Sequence, residues 1–180
     1  MALILLRPTR HEGAEGLCFG RSDLPLAACF PAETARLVRD LPPFRRIVSS
    51  PLSRCLLLAQ ALAQARACPL SIDPRLAEMD FGRWEGQRWD AIARPELDAW
   101  AADLTGARPH GGETVAELAA RVGAALTEAL SGAQPVLVVC HAGVIKAAQA
   151  AGQGARAWHA HHDYGTWLEL GPGWAAKEPG

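Results

Sequence analysis

The chain has 180 residues, 49% of them apolar and 21% charged, which suits one globular domain and excludes a disordered chain. A net charge of −1 and a pI of about 6.6 leave no basic field to hold a phosphate backbone, so no nucleic-acid partner is expected. The apolar stretch 1–6 is too short to span a membrane and no signal-type apolar region follows it, so a soluble, cytoplasmic protein with no membrane partner is expected.

In chain order, residues 2–6 are a continuous apolar run ending at Arg7-Pro8, the pattern of a buried strand. Residues 8–30 form a long loop with Gly13, Gly16, Gly20 and Pro25, and a loop of that size in a compact domain usually has a function. Pro31 opens a helix to about residue 40, because a first turn tolerates a missing N–H. Residues 46–49 read as a second strand. Ser50-Pro51 is a helix-start signal, with Ser50 as the cap and Pro51 at the first helical position, for a helix to about residue 67. Residues 70–72 are a short strand closed by Asp73-Pro74. A loop rich in charge and glycine covers 76–86, and helical stretches follow at 88–93 and 95–104. Gly111-Gly112 precedes a helix over 113–130 in which Thr114, Leu118, Val122 and Leu126 share one face. Residues 136–140 are the clearest buried strand. His141-Ala142-Gly143 then turns into a helix to about residue 151, and 166–170 form a last strand. Strands alternating with helices predict an α/β fold of three layers, α/β/α, with a mainly parallel central sheet.

In such sheets ligands bind beyond the carboxyl ends of the strands. Three strand exits carry anion-seeking residues: Arg7 after the first strand, Ser50 to Arg54 after the second, and His141 after the strand at 136–140. Two arginines and a histidine beside free helix N–H groups describe an anion site. The loop at 76–86 adds Glu78, Asp80 and Glu85 as candidate proton donors. The five cysteines are odd in number, lie in different segments and show no C-x-x-C pair. Reduced thiols follow, with no disulfide framework and no zinc site.

These residues carry a resemblance to the histidine phosphatase superfamily, also called phosphoglycerate mutase-like. Leu5-Leu6-Arg7-Pro8-Thr9 stands where that family has L-x-R-H-G/T, and Ser49-Ser50-Pro51-Leu52-Ser53-Arg54 matches its S-S-P-L-x-R. The run from Leu76 through Glu78, Phe81, Gly82 and Trp84 to Glu85-Gly86 matches L-x-E-x-x-F-G-x-W-E-G. Gly111-Gly112-Glu113-Thr114 matches G-G-E-S/T, and Val138 to Ile145 matches the second-histidine strand. Five motifs in order make the resemblance specific over most of the chain, as one domain spanning 1–180. The stretch from Gly16 to Leu26 resembles the α-ribazole phosphatase branch, a step in cobalamin nucleotide-loop assembly. The resemblance implies a phosphorylated small molecule as partner and a phosphohistidine mechanism without metal or cofactor. Arg7, Arg54 and His141, with Gly20, would bind the phosphate, and Glu78 would protonate the leaving oxygen, with His141 beside it in catalysis.

The departure is at the nucleophile. The family's attacking histidine falls on Pro8, whose tertiary amide and saturated ring hold no lone pair able to attack phosphorus. Two readings follow: a phosphatase scaffold whose activity is lost or weak, or a non-catalytic module binding a phosphorylated small molecule or phosphoprotein. A third is that Pro8 is an engineered or erroneous residue in an ordinary phosphatase.

Other features read as structural. His11, three residues on, has no motif support and is expected to be a solvent-facing loop histidine. Cys140 has C-x5 spacing to Lys146, but cysteine phosphatases need a guanidinium fork there, so a buried inert thiol is expected. His159, His161, His162 and Asp163 fit no standard metal site and read as a solvated loop. Trp84, Trp89, Trp100, Trp158, Trp167 and Trp174 read as core and rim packing, and Asp80 and Glu85 as structural partners of Glu78. Residues 8–30 and 87–110 are the expected specificity walls.

Overall fold

The apolar runs become five strands in a computed structural model, which describes residues 3–171 and residue 174. The strands are β1 (Leu3–Leu6), β2 (Arg46–Ser49), β3 (Leu70–Ile72), β4 (Val136–Val139) and β5 (Trp167–Leu170). Their order is β3-β2-β4-β1-β5, parallel from β3 through β1, with β5 antiparallel to β1 at the edge. Ala2 of the expected first strand lies outside the described residues.

Among the described residues there are five helices, α1 (Phe30–Asp40), α2 (Ser53–Arg66), α3 (Arg94–Ala102), α4 (Val115–Ser131) and α5 (Ala142–Gln153), of which α1, α2, α4 and α5 cover the sheet. Successive strand residues point to opposite faces. Leu3, Leu5, Val136 and Val138 therefore pack against Leu118 and Val122 of α4 and Val144 and Ile145 of α5. Ile4, Leu6, Leu137 and Val139 pack against Leu37 of α1 and Cys55, Leu58 and Leu62 of α2. This is the expected three-layer α/β/α arrangement. Burial on both faces is why β1 and β4 read as unbroken apolar runs rather than alternating ones. Each such leucine contributes about 2 kcal/mol by leaving water.

Several boundaries differ from the sequence reading. The second helix starts at Ser53, with Leu52 rather than Ser50 at its cap position. The Ser50 hydroxyl accepts from Leu52 N at 3.3 Å, before the first helical residue, and also meets the ring of His141 at 2.7 Å. The helix expected over 113–130 starts two residues later, because Thr114 caps it: Thr114 Oγ1 accepts from Glu117 N at 3.1 Å while the Glu117 carboxylate accepts from Thr114 N at 2.8 Å. Residues 88–93 form only a short 3-10 turn at Trp89–Ala91, followed by α3. A further 3-10 turn at Gly154–His159 was not expected.

Backbone bonds draw the strand exits together. Ser50 N donates to Val139 O and Cys140 N to Leu6 O, both at 2.9 Å, so the chain just past β1, β2 and β4 is held side by side. Over these exits the two long loops share a small core of Cys18, Trp84 and Ile92, flanked by Phe81, Trp89 and Trp100. Among the described residues no helix is long and apolar enough to cross a membrane.

Candidate active site

Arg54, in the first turn of α2, is 1% exposed and almost fully committed. Its guanidinium donates to Gly20 O at 2.5 Å and Ser22 O at 2.8 Å, and approaches Asp23 Oδ1 at 3.5 Å. Its Nε donates to His141 Nδ1 at 3.3 Å. The loop 20–23 is thereby pinned to α2. The Asp23 carboxylate closes the arrangement by accepting from Ser53 N at 3.2 Å, so the start of α2 is already occupied by an acceptor.

Gly20 stands behind Arg54 rather than on the cavity wall. Its carbonyl serves Arg54, and its N–H donates to the Glu85 carboxylate at 3.0 Å. Expected as a phosphate contact, it has no free N–H to offer one. Glu85 also accepts from Arg21 N at 2.9 Å, Ser22 Oγ at 2.6 Å and Phe81 N at 3.2 Å, which ties the two long loops together. These hydrogen bonds favour its ionised form and outweigh burial, so its pKa is lowered.

His141 follows β4 and is 3% exposed. Since Nδ1 accepts from Arg54, the proton sits on Nε2, which donates to Ser50 Oγ at 2.7 Å. Both ring nitrogens are therefore engaged within the protein. Burial first, then the Arg54 guanidinium, pushes its pKa well below the ordinary value and keeps the ring neutral.

Glu78 lies at the start of α5. Its Oε2 accepts from Gly143 N at 3.0 Å and its Oε1 from Met79 N at 2.9 Å. One N–H at each of these helix starts is thus taken by a carboxylate, Ser53 N by Asp23 at α2 and Gly143 N by Glu78 at α5. Gly143 is what admits the carboxylate, because a Cβ there would collide with Glu78 Oε1. Gly143→Ala is expected to destabilise by about 1–2 kcal/mol, although alanine is the better helix former. Urea unfolding checks the sign, and a more stable variant would show that Glu78 moves aside freely.

Arg121 of α4 holds the Glu78 loop from beneath. It donates to Arg75 O and Ala77 O at 2.6 Å, to Glu78 O at 3.1 Å and to Glu113 Oε2 at 2.7 Å. This positioning residue was missed. Its only sequence signal is its place two turns beyond the Gly-Gly-Glu motif, on the α4 face toward the loop.

These elements enclose a cavity of about 540 Å³ whose wall includes Arg7, Pro8, His11, Arg54, Glu78, His141 and Lys146. Sequence-distant residues expected to meet do meet there, Gly20 excepted. Arg7 is half-buried; its guanidinium lies 3.8 Å from the Tyr164 ring centroid and donates to His162 O. Lys146, one turn into α5, adds a third cation. The wall also includes the aromatic side chains of Phe19, Phe81, Trp89, Trp100 and Trp158. Three cations and one carboxylate suit a phosphate group, and the aromatic side chains suit a bulky organic remainder.

His11 departs most from expectation. It is 8% exposed and lines this cavity instead of facing solvent, because the segment pairs with residues 25–27 and the ring packs against Phe19 and Tyr164. Cys140 is buried, and its thiol pKa is raised by desolvation. His161 is exposed and pairs with Asp163 at 3.0 Å, while His162 bonds Gln149 at 2.8 Å. Among the described residues no group of His, Cys, Asp and Glu has the arrangement of a metal site.

Comparison with known proteins agrees with this geometry. The chain matches the Histidine phosphatase superfamily (branch 1) over residues 3–173. It is 36% identical over 118 residues to "Probable phosphoglycerate mutase GpmB" of Proteus mirabilis, covering 62% of this chain and 54% of that protein. It is 35% identical over 135 residues to the protein of the same name from Salmonella choleraesuis, covering 69% and 62%. The match thus spans less than two thirds of the length of these relatives. The crystal structure of the α-ribazole phosphatase from Shigella flexneri superposes with a TM-score of 0.79 at 30% identity, covering 94% of this chain and 89% of that one. The mycobacterial glucosyl-3-phosphoglycerate phosphatase gives 0.76 at 26%, covering 93% and 88%.

Proposed function

The chain belongs to the histidine phosphatase superfamily, and on that premise we propose that its cavity takes a small phosphomonoester of the α-ribazole phosphatase kind. One observation carries the reading: Arg7, Arg54 and Lys146 line one cavity together with Glu78 and several aromatic side chains. The cations hold the phosphate oxygens, and Glu78 stands where a leaving oxygen needs a proton. The aromatic side chains offer stacking area to a flat base or aglycone. The likeness to an α-ribazole phosphatase, in sequence motif and in fold, supports that branch. Thiols left unpaired at Cys18, Cys29, Cys55, Cys68 and Cys140 support a cytoplasmic setting.

Transfer through residue 8 is closed. Pro8 is on the wall, where the family's attacking histidine would stand, and it has no atom that can attack phosphorus. Turnover in this chain is therefore absent or weak. A second reading, a module that binds a phosphorylated small molecule or phosphoprotein without turning it over, is favoured by Pro8 together with the full engagement of both His141 nitrogens.

Calorimetry with orthophosphate and vanadate, beside p-nitrophenyl phosphate and α-ribazole 5′-phosphate assays, tests this. The protein is expected to bind orthophosphate, and Pro8→His is expected to raise kcat/KM about 100-fold or more, since removing a nucleophile costs orders of magnitude. Absence of orthophosphate binding would overturn the site. Equal, substantial rates in both proteins would overturn the closed route.

A further inference from the structure

We propose that His11 supplies the attacking imidazole that position 8 lacks, so that the weak phosphoryl transfer of this chain passes through a phosphohistidine at residue 11. The inference rests on the phosphomonoester reading above and adds the atom that reading leaves missing.

The segment carrying His11 is fixed. His11 bridges to Leu26, Glu12 N donates to Pro25 O at 2.9 Å, and Ala27 N donates to Arg10 O at 3.1 Å. The ring lies 5.6 Å from the Phe19 ring and 5.2 Å from the Tyr164 ring. Those two rings in turn carry the site's guanidiniums, Arg54 Cζ at 5.5 Å from Phe19 and Arg7 Cζ at 3.8 Å from Tyr164. The imidazole thereby shares the cavity wall with the two guanidiniums that would grip the phosphate and with Glu78.

Nδ1 is buried and makes no hydrogen bond of good geometry, with the Thr9 and Arg10 backbone beside it. His141, by contrast, has both nitrogens occupied. Burial first, then Arg54, lowers the His11 pKa to about 4, so at neutral pH the ring is uncharged and keeps a lone pair. The buried thiols of Cys55 and Cys140 are held protonated and are absent from the cavity wall.

The step balances with what is present. The lone pair of the unprotonated His11 nitrogen forms the P–N bond as the ester P–O bond breaks, and the leaving oxygen takes the proton of the Glu78 carboxyl. Water then attacks phosphorus and gives its proton to the Glu78 carboxylate. The P–N electron pair returns to the ring, and orthophosphate leaves.

The test is phosphoenzyme trapping with 32P-labelled p-nitrophenyl phosphate, with label mapped by peptide mass spectrometry, in the wild type, His11→Asn, His11→Phe and Pro8→His. Wild type is expected to carry acid-labile, alkali-stable label on His11. His11→Asn and His11→Phe are expected to lose it, with turnover down at least 100-fold and orthophosphate affinity within about threefold. His11→Phe keeps the ring packed against Phe19 and Tyr164, so a folded but unlabelled variant separates chemistry from structure. Undiminished turnover in a folded His11 variant, or an unlabelled wild type beside a Pro8→His protein labelled at residue 8, would overturn the role of His11 while leaving the phosphomonoester reading standing. No orthophosphate binding by wild type or Pro8→His would instead remove that reading and this inference with it.

Discussion

Arg54→Met is expected to lower the melting temperature by about 10 °C and to reduce orthophosphate binding below detection. Methionine fills much of the same volume but donates nothing. The carbonyls of Gly20 and Ser22 and Nδ1 of His141 would then lose the donor that now satisfies them inside the protein. Leaving buried acceptors without a partner costs about 1–3 kcal/mol each, partly recovered where water enters, so about 4 kcal/mol in all is expected. For a domain of this size each kcal/mol moves the midpoint by about 2–4 °C. Arg54 also holds loop 20–23, which follows the cavity-lining Phe19 and donates to Glu85, so affinity falls through lost charge and lost shape together. Calorimetric melting with and without orthophosphate checks both parts. A variant that melts with the wild type would show that the loop does not depend on Arg54.

Acid is expected to weaken the fold between about pH 6.5 and pH 4, above the range in which carboxylates titrate. His11 has a folded pKa of about 4 against 6.5 unfolded. Between those values the unfolded chain binds the extra proton, so the contribution is fully present above pH 6.5 and is lost as pH falls toward 4. At 1.36 kcal/mol per pKa unit, His11 alone accounts for up to about 3 kcal/mol. His141 acts in the same direction through burial and Arg54, and the half-buried His162 through burial and Lys146. Glu85, whose pKa is lowered by hydrogen bonds, adds its own loss only at more acidic pH. At the other end the buried thiols of Cys55 and Cys140 have raised pKa values, so stability also falls once unfolded cysteine ionises above about pH 9. Urea midpoints across pH 4–8 for wild type and His11→Phe measure the acid limb. The variant is expected to show a flatter profile, and identical slopes would mean that the His11 ring titrates as an ordinary exposed histidine.

The neutral ring of His11 and the crowded ring of His141 show where reading a sequence stops. Nothing in the local pattern around His11 marks it as buried: it lies in a glycine-containing loop with no apolar period. Its environment is made by Phe19, by the bridge to Leu26 and by Tyr164, more than 150 residues away. Ser50 has the look of a helix cap, but its hydroxyl accepts from Leu52 N and meets His141 beyond β4, while the helix begins at Ser53. One N–H at each of the α2 and α5 starts is taken because Asp23 and Glu78 arrive from other segments.

What the amino-acid order determined by itself is what depends on neighbours along the chain. The apolar tetrads of β1 and β4, the Thr114–Glu117 capping pair and the emergence of Arg7, Ser50 and His141 at strand ends all follow from short-range periodicity and from the rule that a sheet covered on both faces reads as uninterrupted apolar sequence. The family motifs also belong there. Only the tertiary structure decided which histidine keeps a free nitrogen, which carboxylates occupy the helix starts and which arginine is spent on holding loops. Those outcomes turn on desolvation and on competition for hydrogen-bond partners between segments that meet only when the sheet has assembled.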